Sequence, residues 1–272
     1  MPDKFNPSHF TSPPNPSPCE GEGETNNIIK KINQKTMSII ILDTETTDRD
    51  ESKRLIQLAY KNLATGEVVN EFFKPPVLIT FGAMAVHHVT NEMVADKELF
   101  AESERKALLT ELLKENILVA HNAPFDIQVL ENEGLEIGKN LDTLRLARHL
   151  IEDSEQYSLQ YLRYSLGLNV EASAHDALGD VLVLEALFEY LKKQVKEQFS
   201  LSSEEEVMAK LLELSAMPVL MNIINFGKYK GKTFAEVVKE DRSYLEWLFG
   251  SETSKPESEQ NEEMVYTLRH WL

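Results

Sequence analysis

The clearest apolar stretch is SIIIL at residues 38–42. It is short, nearly unbroken and β-branched, which predicts a strand covered on both faces. Residues 54–63 and 68–73 carry apolar and aromatic positions on either side of Ala64-Thr65-Gly66-Glu67, a hairpin signal that Pro75 and Pro76 close. Leucines at helical spacing over 101–115 predict a helix, and ILVA at 117–120 a second short buried strand. Helical periodicity returns over 125–131 and 141–151. Ser158 is a candidate cap for a helix ending at Gly167, and 177–193 reads as a long helix with a broad apolar face. Strands first, then alternating helix and strand, predict an α/β fold: a mixed sheet with helices on both faces.

The pattern changes near residues 198–202. Ser203 and Glu206 make a capping box for a helix reaching about Leu214. Beyond Pro218 come the glycine- and lysine-dense INFGKYKGKTF, a helical stretch over 234–249, an acidic loop over 251–263 and the apolar-periodic MVYTLRHWL. At the other end, residues 1–36 hold six of the eleven prolines and little periodicity. The expected organisation is a disordered leader over 1–36, a catalytic domain over 37–198 and an accessory module over 199–272. The leader is either a disordered tail or the product of an upstream start site.

Composition narrows the picture further. The chain has 272 residues and is 42% hydrophobic, enough for a sizeable core. A single cysteine, Cys19, excludes an internal disulfide framework and fits a reducing, cytoplasmic setting. There is no bilayer-length apolar run and no secretory h-region. The net charge of −17 argues against a protein that coats nucleic acid electrostatically, though not against an enzyme that handles it through cations.

Candidate chemistry sits at the ends of the predicted strands and helices. In ILDTETTD, Asp43 and Glu45 are two apart, so both point to one face of the strand at its C-terminal end. Carboxylates there suit a hard cation such as magnesium. In VAHNAPFD, Asp126 opens a helix just after a strand, and in SAHDALGD, His175 precedes a helix whose first turn holds Asp180. His175 and Asp180 can share a site only if His175 lies in the loop before the helix, since five helical steps would turn them about 140° apart.

Taken in order, D-x-E, N-x-x-x-D and H-x-x-x-x-D resemble the DEDD superfamily of 3′→5′ exonucleases, in its histidine-containing branch. The resemblance implies a ribonuclease H-like fold. It also implies that Asp43, Glu45, Asp126 and Asp180 hold two magnesium ions, for which manganese can substitute, with His175 as general base. Phosphodiester cleavage would then release nucleoside 5′-monophosphates from DNA 3′ ends, single-stranded or duplex. An exoribonuclease or a polymerase proofreading exonuclease shares the five residues, and a catalytically inactive nucleic-acid-binding module is the remaining alternative.

AMAVHHVTNEMVADK at 83–97 is similar to the segment these enzymes place near terminal nucleotides, so His87 or His88 is expected to touch phosphate or base. Thr44, Thr46 and Asn122 are expected to contact substrate, and Phe125 either stacks on a base or is core. FGKYKGKTF resembles the accessory module of the exodeoxyribonuclease X family. Its Lys228, Tyr229, Lys230 and Lys232 are the clearest basic–aromatic patch, able to bind phosphate and stack a base. One departure stands out: where family members commonly carry a glycine in a wedge loop, this chain has Thr46-Thr47-Asp48-Arg49-Asp50.

Overall fold

The computed structural model describes residues 37–151, 154–170 and 177–272. Residues 1–36, the expected leader, lie outside them. The expected hairpin is present: β1 (Ile39–Thr46) runs antiparallel to β2 (Leu55–Asn62), which pairs with β3 (Val68–Phe72). β1 also runs parallel to β4 (Ile117–Ala120), and β4 to β5 (Asn140–Asp142). The described sheet is thus five-stranded in the order β3-β2-β1-β4-β5, which is the expected mixed sheet.

Helices cover both faces, and the alternation along β1 assigns each face its partners. Ile40 and Leu42 join a core with α2 (Glu104–Glu115) and α3 (Ala123–Asn132), through Leu109, Leu113, Val129 and Leu130. Ile41 points the other way. There it packs with α4 (Thr143–Leu150), α5 (Leu159–Ser165) and α6 (Ala177–Gln198), through Leu146, Leu162, Val181, Leu184 and Phe188.

Several boundaries differ from the sequence reading for identifiable reasons. The stretch at 141–151 begins as β5, because Leu141 pairs in the sheet while Asp142 caps α4 by accepting from the Leu144 N–H at 3.0 Å. The short helix α1 (Phe81–His87) was hidden by its few residues; Thr80 caps it through the Ala83 N–H. α7 (Glu204–Ala216) carries the expected Ser203–Glu206 capping box and buries Val207, Leu211 and Leu214 in the same core as α6.

The last core is local to 221–272. Ile224, Tyr229, Phe234, Val237, Leu245, Met264 and Leu268 pack together, supplied in part by α8 (Phe234–Glu240), α9 (Arg242–Thr253) and α10 (Glu262–Trp271). The expected single helix over 234–249 is broken at Asp241, whose carboxylate caps α9 at the Tyr244 N–H. Gly227 sits at φ +63°, a left-handed conformation that glycine adopts without strain, with Tyr244 Oη 2.9 Å from where a Cβ would stand.

One polar clamp ties the hairpin to the helical layer. Arg54 donates through Nε and Nη2 to both oxygens of Glu133 at 2.8 Å, and Glu133, itself buried, also accepts from the Leu55 N–H at 3.2 Å. This bidentate geometry fixes the start of β2 against the end of α3. Glu133→Ala would strand a guanidinium and a buried N–H together. It should lower unfolding stability by about 2–3 kcal/mol in urea titrations; a loss of only a few tenths would show the clamp to be incidental.

Candidate active site

The site lies at the C-terminal end of β1, where the sheet opens. β1 stays paired with β4 only as far as Ile41↔Val119, while its pairing with β2 continues and slips between Glu45 and Thr46. Such a bulge bends a strand end and re-aims its side chains. Asp43 and Glu45 share the parity of Ile41 and so face the α6 layer, and Asp180 comes down from the first turn of α6. Asp43, Glu45 and Asp180 each offer an oxygen, all within 4.8 Å of one another. Three carboxylates at that spacing repel on the order of 3 kcal/mol per pair at an effective dielectric of ~20. A divalent cation relieves that repulsion and takes the hard oxygen donors they present, so this donor set fits one.

Asp180 is oriented from a helix that sequence reasoning left out of the site. Gln160 on α5 donates its side-chain amide to Asp180 Oδ1, and Arg163 Nη1 donates to Gln160 Oε1 at 3.3 Å. The only advance signal was spacing: Gln160 and Arg163 lie three apart on a helix, hence on one face.

Asp126 is placed differently. It rises from the first turn of α3, on the opposite layer, and is 3% exposed. Its Oδ1 accepts from the Thr44 N–H at 3.1 Å and the Thr44 hydroxyl at 2.7 Å. Thr44 has the parity of Ile40 and Leu42, so Asp126 meets the strand through the residue between the two paired acids and stands outside their cluster. Burial pushes its carboxyl up to about 7, against the lowering effect of the Thr44 hydrogen bonds. His175, the expected base, lies outside the described residues.

The turn that delivers Asp126 is tightly held. Asn122 adopts φ +66°, and its N–H donates to Asp142 Oδ1 at 2.9 Å. His121 bridges Thr143 Oγ1 at 3.0 Å and the Tyr157 carbonyl at 2.8 Å, and burial lowers its pKa. Asp142 and Thr143 are thus part of the support. Sequence reasoning passed over both because it read them as the first turn of a helix over 141–151.

Five of the expected substrate contacts, Thr44, Thr46, His87, Phe125 and Tyr229, turn inward, which corrects the sequence reading for them. The Thr44 hydroxyl serves Asp126, and the Thr46 hydroxyl donates to the Asp48 carbonyl at 2.7 Å. His87 is buried with both nitrogens engaged: Nε2 with the Thr46 carbonyl at 3.2 Å and Nδ1 with the Val89 N–H at 3.0 Å. It is a neutral brace for the end of β1, its pKa lowered by burial. Phe125 packs against the core, and Lys53 Nζ stands 4.6 Å from its ring centroid, so that face is taken. Tyr229 is buried with its hydroxyl on Asp241 at 2.8 Å, Lys228 joins the same carboxylate at 3.1 Å, and Lys232 pairs with Glu240. Lys228, although ion-paired, is exposed, as are His88, Asn122 and Lys230.

A mixed sheet with this strand order, helices on both faces and acids gathered at the end of its central strand defines a ribonuclease H-like nuclease scaffold. The chain belongs to the exonuclease family, whose profile matches residues 40–188, and is a phosphodiester hydrolase. A second profile, exodeoxyribonuclease X-like C-terminal, matches residues 224–252. The chain is 29% identical over 239 residues to exodeoxyribonuclease 10 of Escherichia coli (strain K12), covering 85% of this chain and 97% of that one. It is 31% identical over 170 residues to the DNA polymerase III subunit epsilon of Rickettsia prowazekii (strain Madrid E), covering 55% and 71%. A solved structure of exonuclease X in complex with 5′ overhanging duplex DNA superposes with a TM-score of 0.50 at 27% identity, over 64% of this chain and 99% of that one.

The Asp126 environment gives a pH-dependent test. Without a cation the folded carboxyl titrates near 7, whereas an unfolded one titrates near 4, so the folded state holds a proton between those values and loses stability as pH rises through 7. Asparagine cannot ionise. In EDTA, the melting temperature of Asp126→Asn should therefore gain on the wild type between about pH 5 and about pH 8; in a separate assay with a divalent cation supplied, its nuclease activity should fall. A difference that does not change with pH would contradict the assignment.

Proposed function

We propose that the protein is a divalent-cation-dependent 3′→5′ exodeoxyribonuclease that releases nucleoside 5′-monophosphates, with magnesium as its working ion. The observation that carries this is the convergence of Asp43, Glu45 and Asp180 at the end of β1. The near full-length likeness to exodeoxyribonuclease 10, and the DNA held by the structural neighbour, support DNA as the substrate class.

In this reading Asp43, Glu45 and Asp180 hold the cations. Bound there, the cations would offset charge building on the phosphoryl oxygens and on the departing 3′-oxygen. Gln160 keeps Asp180 turned into the site. Asp126 acts from the far side of β1: its grip on the Thr44 backbone and hydroxyl fixes the stretch between Asp43 and Glu45. Its second oxygen is the part of the carboxylate assigned to the cation side. His175, two residues before α6 in the sequence, is assigned as the base that takes a proton from the attacking water. An unperturbed imidazole titrates near 6.5, so it can do this at neutral pH.

The chain is assigned a catalytic part, extended through α7 by its packing, and an accessory module formed by the last core. With Tyr229 and Lys228 both held by Asp241, Lys230 is the residue of the glycine–lysine segment assigned to DNA. No helix among the described residues is long and apolar enough to cross a membrane.

The test uses 3′-ends of single-stranded DNA, duplex DNA and RNA. Mononucleotides should appear from DNA with magnesium and not with EDTA, and Asp43→Ala should abolish release. His175→Ala should lower kcat by about 10²- to 10⁴-fold while KM stays nearly constant. RNA hydrolysed as fast as DNA, or faster, would contradict the substrate assignment, and an unchanged rate for His175→Ala would remove it as the base.

A further inference from the structure

The accessory core leaves one large aromatic side chain outside. α9 packs inward through Leu245 and Leu248, which join Ile224, Phe234 and Leu268. Trp247 stands on the solvent side and is 64% exposed. At 100° per residue, Tyr244, Trp247 and Ser251 fall within about 60° of one another and form one stripe. The rings follow one another closely: the Tyr244 centroid lies 5.8 Å from that of Trp247 and 5.0 Å from that of buried Tyr229. Lys228 Nζ ends the series, 4.7 Å from the Tyr229 centroid.

This platform is fixed in place. The Asp241 carboxylate accepts from the Tyr229 hydroxyl at 2.8 Å and from the Tyr244 N–H at 3.2 Å, so one group ties both members of the buried ring pair. The turn carrying the lysines is closed by the Gly231 N–H on the Ile224 carbonyl at 2.7 Å and by the Ile224 N–H on the Lys232 carbonyl at 2.8 Å. An indole backed by a second, anchored ring loses little freedom when a ligand covers its outer face.

The surroundings select the occupant. Ser243, Glu246, Gly250 and Ser251, neighbours of Trp247 on α9, are exposed and small or polar. A protein interface is built around a contiguous apolar patch, whereas a lone flat ring among polar groups suits a single flat partner such as an unpaired base. Charge points the same way. The chain carries −17 overall, yet residues 226–247 hold five bases against four acids. Those acids are engaged: Asp241 with Lys228, Glu240 with Lys232, Glu246 with Arg242, and Glu236 in the capping box of α8. The three ion pairs are solvent-exposed, and pairs of that kind are weak enough for a phosphate to share the cation. Lys230 is exposed and has no ion-pair partner among the described residues.

We propose that Trp247, backed by Tyr244 and flanked by Lys228 and Lys230, is a strand-binding site on the accessory module. The indole stacks on an unpaired base of single-stranded DNA, and the lysines meet neighbouring phosphates. The inference rests on the proposed nuclease reading for the identity of the polymer, and it adds a hold on the strand made by residues other than the cation cluster. Trp247 thereby takes the stacking role that the sequence pattern pointed to in Tyr229, whose ring is buried.

The experiment uses the full chain with Asp43→Ala, which keeps strands intact, and Trp271→Phe, which leaves Trp247 the sole indole. An oligothymidylate of about 30 nucleotides should quench the Trp247 emission, and an abasic strand of the same length should not. By the anisotropy of a label on the 5′ end, Trp247→Ala should weaken binding of the thymidylate about 5- to 100-fold, and Trp247→Phe should recover most of it. Lys230→Ala should make the log–log dependence of binding on salt shallower by about 0.7. The abasic strand should bind with and without the indole about equally. No binding of either strand, unchanged emission while the label reports binding, or equal affinity for the thymidylate with and without the indole would overturn the site and leave this surface to a protein partner. Equal quenching by the abasic strand would overturn base stacking as its means. Mononucleotide release by the unmutated chain with magnesium tests the nuclease reading separately: no release with quenching intact fails that reading alone, and release without quenching fails this proposal alone.

Discussion

Everything at the site depends on the alternation of side chains along β1. Ile40 and Leu42 anchor one layer and Ile41 the other, so the strand cannot rotate or slip by one residue without exposing a core face. That constraint fixes where polar residues go once the apolar run ends. Asp43 and Glu45 inherit the parity of Ile41 and meet Asp180 from α6, whereas Thr44 inherits the parity of Ile40 and meets Asp126 from α3. The hydrophobic core thus holds carboxylates together that would otherwise separate, and the resulting repulsion is what makes the cluster a receptor for cations.

Much of this was legible from the sequence because it follows from period-two geometry and strong local signals. The strand, the hairpin around Gly66, the long α6 and the pairing of Asp43 with Glu45 all rest on such rules. Gathering the acids needed the resemblance, since nothing local places Asp180 beside a strand more than a hundred residues earlier. Asp126 shows the limit. A carboxylate just after a strand end reads as a third ligand, and only the layer arrangement reveals that it reaches the strand through Thr44. Several residues expected to touch substrate turn inward for a related reason: a polar residue near a site is as often part of its frame. Thr46, His87 and Tyr229 each spend their polar atoms on neighbours whose positions no spacing rule predicts.

The acidic character of the chain fits this picture. Some of its cations are taken up by partly buried pairs, such as Arg54 with Glu133 and Lys61 with Glu185. Bound divalent ions are an attraction that an acidic cluster can offer a polyanion. The small C-terminal core, with its Asp241-centred knot of Tyr229, Lys228 and Ser243, is built for local rigidity. Gly227 is the position at which that knot closes on Tyr244.

The central claim is that the fold brings residues from β1 and α6 together as one cation site. The most direct measurement is Mn²⁺ binding followed by electron paramagnetic resonance, on the wild-type protein and on Asp180→Asn. The account predicts that the wild type sequesters manganese, that magnesium displaces it, and that affinity falls by at least about tenfold in the variant. Manganese held with equal affinity by both proteins would contradict it.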